Sequence, residues 1–181
     1  MKITETKLKG CLILEPQIYE DNRGVFFEVF KKNELESVLG YNIEFVQENT
    51  SISKKGVLRG LHFQTGAAAQ SKLVSVQRGE VVDVIVDIRP DSASFGQHIK
   101  VNLSEANKKC IFIPKGMAHG FLALSNEVVF NYLCDGYYNP EHESGIYYND
   151  SDLAIDWGYP LSELIVSEKD LLLPTFKKFM Q

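Results

Sequence analysis

At 181 residues the chain has the length of one domain, on a prior of roughly 150 residues per domain, and a domain this long buries about 70% of its unfolded surface without a disulfide or metal staple. Apolar residues make up 44% and charged residues 24%, which excludes a disordered chain. Nineteen Lys and Arg against 24 Asp and Glu leave a net charge of −5, the wrong sign for a general binder of nucleic acid or anionic membrane, so any anion must be gripped by a local cluster of cations.

Met1-Lys2-Ile3-Thr4-Glu5 lacks the unbroken apolar stretch of a signal peptide, and no later run approaches the ~18–20 apolar residues of a membrane span. Cys11, Cys110 and Cys134 lie at unrelated spacings and read as reduced thiols. A cytoplasmic protein with no membrane partner is the expectation.

Helical periodicity is scarce. Lys32 to Leu39 predicts a helix, with Leu35, Val38 and Leu39 at i, i+3, i+4 and Gly40 as its stop. Beyond it the pattern turns to period two. Lys72 to Arg78 predicts a strand that turns at Gly79-Glu80. Val81 to Ile88 places Val82, Val84, Val86 and Ile88 on one face, with Asp83 and Asp87 on the other. His98 to Leu103, Lys109 to Ile113 and Glu127 to Cys134 repeat the pattern of strand followed by Gly, Pro or Asn punctuation. A short helix opening at Ser162 or Ser167 closes the chain. Short strands about ten residues apart with almost no crossover helices predict one all-β domain over residues 1–181, an antiparallel sandwich or barrel.

Two segments stand out chemically. Arg59-Gly60-Leu61-His62-Phe63-Gln64 is followed by Lys72, and Pro114-Lys115-Gly116-Met117-Ala118-His119-Gly120-Phe121 has the form of a turn between strands. This layout resembles the two motifs of the cupin superfamily and implies a jelly-roll barrel, a double-stranded β-helix with short peripheral helices. Metal-binding cupins pair two histidines with a carboxylate in the first motif, whereas here Gln64 takes the second histidine position and Lys72 lies near the place of the carboxylate. An ammonium opposes a divalent cation in the same cavity, so His62, Lys72 and His119 suit a negatively charged transition state better than a metal.

Pattern alone leaves other readings open. His62 fits a hydrogen-bonded structural histidine, Lys72 a solvated strand end, and Tyr132 core or rim packing. Arg59 and His62 are three residues apart and would face opposite ways on a regular strand, unless Gly60 hosts a bulge.

The chain as a whole is similar to the dTDP-4-dehydrorhamnose 3,5-epimerase family. The likeness runs through Asp21-Asn22-Arg23-Gly24-Val25-Phe26-Phe27-Glu28, Gln47-Glu48-Asn49-Thr50-Ser51, Val57 to Gln64 and Lys72-Leu73-Val74. It continues from Gly79 through Asp83 to Arg89, then through Pro114 to Phe121, Tyr132, Tyr137-Tyr138-Asn139-Pro140, Glu143-Ser144-Gly145-Ile146 and Ser167-Glu168-Lys169-Asp170. Thr50, Glu48, the Gly66 to Ser71 stretch and Tyr147 to Ser151 depart from the family's usual residues.

The resemblance implies inversion at C3 and C5 of a dTDP-linked 4-keto-6-deoxyhexose on the route to dTDP-L-rhamnose, with no cofactor. His62 would be the base, Asp170 the carboxylate that orients it, Tyr132 the acid on the opposite ring face, and Lys72 the stabiliser of the C4 enolate oxygen. Arg23, Glu28, Gln47, Glu48, Asn49, Arg59, His119, Glu143 and Lys169 match substrate-contacting positions. Members are homodimers that exchange an N-terminal strand, with part of each site coming from the partner. An enzyme inverting only C3 or C5 is the nearest alternative. A non-catalytic sugar-nucleotide-binding cupin and a metal-dependent cupin oxygenase are the alternatives from other classes.

Overall fold

The computed structural model describes residues 1–181. In chain order the strands are β1 (Lys2–Glu5), β2 (Leu12–Glu15), β3 (Ile18–Asp21) and β4 (Gly24–Phe27), after which comes α1 (Lys32–Leu39). Then follow β5 (Gln47–Ser53), β6 (Val57–Gln64), β7 (Lys72–Arg78), β8 (Glu80–Asp87), β9 (His98–Ser104), β10 (Cys110–Ile113), β11 (Met117–Ala123) and β12 (Val128–Cys134). The chain closes with β13 (Glu143–Gly145), β14 (Ile165–Val166), α2 (Glu168–Leu171) and α3 (Phe176–Phe179). The helix expected over Lys32 to Leu39 forms, and Gly40 ends it in the left-handed conformation at φ 75°. Ser167 caps α2, its hydroxyl accepting the Asp170 N–H at 3.1 Å.

The strands build two sheets in the orders β1-β2-β10-β7-β12-β5 and β13-β6-β11-β8-β9, with β14 added parallel to β6. All other neighbours run antiparallel, the sandwich expected from the spacing of strands and the jelly roll implied by the cupin resemblance. Between the sheets lies a core of Val74, Val76, Ile85, Phe121, Phe130 and their neighbours. A second apolar cluster covers the outer face of the second sheet, where Ile146, Tyr148, Leu153, Ile155 and Trp157 lie against Val84, Val86 and Leu122. Leu35 of α1 caps a third on the outside of the first sheet, over Leu73 and Phe112.

Strand β8 is therefore buried on both faces, and its alternation does not distinguish inside from outside. The Val84, Val86 and Ile88 face turns outward to the C-terminal segment, while Val81, Asp83, Ile85 and Asp87 turn inward. Asp87 is held there by Arg89 (2.7 and 2.8 Å), Ser92 (2.6 Å) and Ser94 (2.6 Å). Hairpin β3–β4 belongs to neither sheet and leaves Tyr19 56% and Phe26 67% exposed.

Candidate active site

Period two on the inward faces of β7 and β12 continues the core into functional side chains. Lys72 precedes Val74 and Val76 on β7, and Tyr132 follows Val128 and Phe130 on β12. On β11 the same face carries His119 and Phe121.

Strand β6 keeps this parity only through a bulge. His119 opposes His62 and Phe121 opposes Arg59, so three steps on β6 span two on β11. Because His119 and Phe121 share a face, Arg59 and His62 do too, which settles the alternative left open by their spacing. Gly60 is the residue that permits it. Its φ is 128°, and a Cβ there would stand 2.5 Å from the Gly120 Cα.

These faces open into a cavity of about 740 Å³ with Phe121 and Phe130 as an aromatic floor, their ring centroids 4.2 Å apart. His62, Lys72, His119, Tyr132 and Asp170 all line it. The His62 Nε2 lies 2.8 Å from Asp170 Oδ1, and Asp170 Oδ2 accepts the Gly60 N–H at 3.2 Å. An ionised Asp170 takes the Nε2 proton, so Nδ1 carries the free lone pair of a neutral ring. Burial works to raise the Asp170 pKa, but the bond and charge of His62 together with the Gly60 N–H hold it below the ordinary carboxylate value.

Lys72 and Tyr132 stand on adjacent strands of the opposite sheet, with Lys72 paired to Cys134 and Tyr132 to Val74. Burial lowers the Lys72 pKa, against the pull of Cys134, Asp83 and Glu143. Burial also raises the Tyr132 phenol, with Cys134 and Glu143 adding to the rise and Arg59 opposing it. His119, stacked on Phe130, is bonded through Nε2 to Asp83 Oδ1 at 2.7 Å.

At the mouth, the Glu143 carboxylate receives Lys169 Nζ at 2.6 Å and the Tyr138 hydroxyl. The Arg59 Nε donates to Ser53 Oγ at 3.1 Å. Gln47 bonds Asn49 (3.0 Å) and accepts the Tyr138 N–H (2.9 Å), while Gln64 accepts the Asn139 N–H (3.0 Å). The loop carrying Tyr138 is thus tied to both sheets.

Three of the expected site residues lie elsewhere. Arg23, paired with Asp21, and Glu28, paired with Lys31, belong to the exposed hairpin and the turn after it. Glu48 faces away from its neighbours Gln47 and Asn49, out of the cavity, where it bonds Asn131 at 3.0 Å. Sequence reasoning missed Ser51 and Asp83. Ser51 shares the inward face with Gln47 and Asn49, and period two alone would have found it. Asp83 carried the signal of a carboxylate in an apolar run, but its bond to His119 depends on the β8–β11 register.

No cluster of three or more His, Cys, Asp or Glu side chains is disposed to hold a metal ion, and both cavity imidazoles have Nε2 committed to a carboxylate. The arrangement fits proton transfer at a carbon made acidic by a neighbouring carbonyl. A base and a phenol approach from opposite sheets, and the cation on the strand beside the phenol is available to an oxyanion.

The family model described as dTDP-4-dehydrorhamnose 3,5-epimerase matches residues 5–178. A protein of that description from Escherichia coli strain K12 is 49% identical over 181 residues, covering 100% of this chain and 97% of the relative. The crystal structure of the dTDP-4-dehydrorhamnose 3,5-epimerase of Elizabethkingia anophelis is 49% identical with a TM-score of 0.95, covering 98% of this chain and 97% of that one. That of a dTDP-6-deoxy-D-glucose-3,5-epimerase from Legionella pneumophila, in complex with dTDP-4-keto-L-rhamnose, is 48% identical with a TM-score of 0.92, covering 97% and 93%.

Proposed function

The chain belongs to the dTDP-4-dehydrorhamnose 3,5-epimerase family, and we propose that its cavity inverts C3 and C5 of dTDP-4-dehydro-6-deoxy-D-glucose to give dTDP-4-dehydro-L-rhamnose. The observation that carries this reading is the His62–Asp170 pair facing Tyr132 across a cavity that also holds the Lys72 ammonium. His62 Nδ1 removes the proton from the carbon beside the C4 ketone, and Asp170 stabilises the imidazolium that forms. The electron pair moves into the C4 oxygen as an enolate. Lys72 attracts that oxyanion more strongly than the neutral ketone, and such a differential donor lowers a barrier by about 3–4 kcal/mol. Tyr132 then returns a proton to the opposite ring face, which inverts the carbon. Only protons move, and no electrons are exchanged with a redox partner.

Binding follows from local charge on an acidic protein. Arg59 and Lys169 at the mouth suit a diphosphate, and Arg59 keeps guanidinium N–H groups beyond its Ser53 bond. Gln47, Asn49, His119 and Glu143 supply polar contacts to nucleoside and sugar.

We further infer a homodimer. The exposed apolar hairpin β3–β4 and the free edge of β5, where Ile52 is 66% exposed, support contact with a second copy. That copy receives Arg23 and Glu28 into its cavity, so that one domain over residues 1–181 carries the reaction with help from its partner. Sedimentation of the purified protein at micromolar concentration should give the mass of two chains; a stable active monomer would overturn this. Three unpaired buried cysteines support a reducing compartment, the cytoplasm, and no helix is long and apolar enough to cross a membrane.

The decisive experiment is turnover of the 4-keto sugar nucleotide in D₂O followed by proton NMR. Deuterium at both C3 and C5 is expected. Deuterium at one carbon makes the enzyme a monofunctional epimerase, and binding of dTDP without any exchange makes it a non-catalytic binder.

A further inference from the structure

Asp83 stands behind the cavity wall on β8, with no exposed surface at all. Its Oδ1 takes the His119 Nε2–H, but its Oδ2 is buried with no hydrogen-bond partner. A bare carboxylate oxygen in an apolar interior is costly, and native structures retain one only where something compensates it. Across the same core the Lys72 ammonium has neither a hydrogen-bond nor an ion-pair partner, whereas Arg59 donates to Ser53 Oγ and Lys169 pairs with Glu143. One unpartnered carboxylate oxygen and one unpartnered ammonium, of opposite charge, thus stand within electrostatic reach of each other.

We propose that Asp83 is the positioning residue that keeps Lys72 in its charged form, ready to receive the C4 oxyanion. The proposal rests on the role given above to Lys72 and adds the group that makes that role sustainable in a desolvated site. The neighbours of Lys72 leave Asp83 as the source of negative charge. From β12 come Cys134, a thiol that burial raises and so keeps neutral, and the Tyr132 phenol, also raised. From β13 comes Glu143, already bound by Lys169 and Tyr138. Strand β11 brings His119, and β6 brings Arg59 and His62. Helix α2 brings Lys169 and Asp170, the latter bonded to His62 and the Gly60 N–H. The inward face of β5 carries only uncharged side chains, Gln47, Asn49, Ser51 and Ser53.

Burial drives Asp83 and Lys72 alike towards neutrality, and each opposes that drift in the other. The pair therefore holds one proton between them over a wider pH range than Lys72 could alone. Removing the carboxylate charge lowers the pH at which Lys72 is lost as a cation.

Asp83→Asn tests this, since it keeps the side-chain shape and an oxygen for His119. Turnover at pH 7.5 should fall about 10–100-fold with KM changed less than about threefold, because the deficit concerns the oxyanion and not ground-state binding. The alkaline limb of the kcat profile should move down by about one to three pH units. His119→Asn is the second variant. It breaks the same hydrogen bond but spares the carboxylate, so its alkaline limb should not move down. An unmoved limb in Asp83→Asn overturns the proposal, and so does a downward shift in His119→Asn as large as that of Asp83→Asn. Should Asp83→Asn fail to fold, His119→Asn decides alone: a limb that moves down refutes, and one that stays supports. Wild-type protein that exchanges no deuterium defeats the role of Lys72 itself, whereas wild-type exchange with an unmoved limb in Asp83→Asn defeats only the assignment of Asp83.

Discussion

Replacing Asp170 by Asn changes one oxygen to an NH₂ group, and the geometry dictates how the amide must turn. Asp170 Oδ2 accepts the Gly60 N–H at 3.2 Å, and Oδ1 faces His62 Nε2 at 2.8 Å. The Gly60 N–H is a backbone donor fixed at the bulge and has no alternative state. His62 can exchange tautomers. The asparagine oxygen therefore goes to Gly60, and its NH₂ faces His62 Nε2, because the reverse orientation would set two donors against each other at a penalty of about 1–3 kcal/mol. His62 must then accept at Nε2 and carry its proton on Nδ1. The lone pair that removes the carbon-bound proton is gone, although every side chain keeps its place.

A positioned base contributes about 10²–10⁴-fold, or roughly 3–5 kcal/mol of barrier, and Asp170→Asn should forfeit most of that range. The assay is the initial rate of deuterium entry into the 4-keto sugar nucleotide, with dTDP affinity measured in parallel by calorimetry and expected to stay within about threefold of wild type. His62→Asn should be as slow, and the double variant His62→Asn/Asp170→Asn no slower than His62→Asn alone, since the two groups act as a unit. Exchange in Asp170→Asn within about fivefold of wild type would refute the tautomer argument, as would a double variant whose loss is the product of the two single losses.

Tyr132→Phe removes the phenolic proton but not the base. Deuterium should still enter the substrate while formation of inverted product falls by about 10²–10⁴-fold, and NMR distinguishes the two. Burial works to raise the Asp87 pKa, but the bonds from Arg89, Ser92 and Ser94 overcome it and hold the carboxyl well below the ordinary value. Its contribution to stability is thus complete above the unfolded pKa of about 3.9 and is lost as pH falls through the folded value. Asp87→Ala should unfold with a deficit of about 3–5 kcal/mol at pH 7, a fall of roughly 6–20 °C in Tm, and the gap to wild type should narrow below about pH 4; a gap independent of pH would contradict the linkage. Gly60→Ala sets a Cβ 2.5 Å from the Gly120 Cα at a φ of 128° and should cost about 2–5 kcal/mol in a thermal melt. It should also slow turnover where the protein remains folded, because β6 carries Arg59 and His62 away from β11; wild-type melting and turnover would count against the close approach.

What could be read in advance follows from the range of each signal along the chain. Helix α1 was legible because Leu35, Val38, Leu39 and Gly40 are all local, and the strands were legible because alternation needs only neighbours two apart. Which face of β8 points between the sheets was not, since both faces are buried and the aspartates take the inner one. The site needed contacts at still longer range. His62 and Asp170 are 108 residues apart in sequence, and their partnership came from the family resemblance, not from spacing. Arg59 and His62 face the same cavity because of one extra residue in β6, for which Gly60 was the only local sign. Asp83 needed the β8–β11 register before its histidine could be named. A barrel of alternating strands thus advertises its core locally, whereas the groups that exchange and hold protons meet only through pairing, where a single bulge decides which side chains share a face.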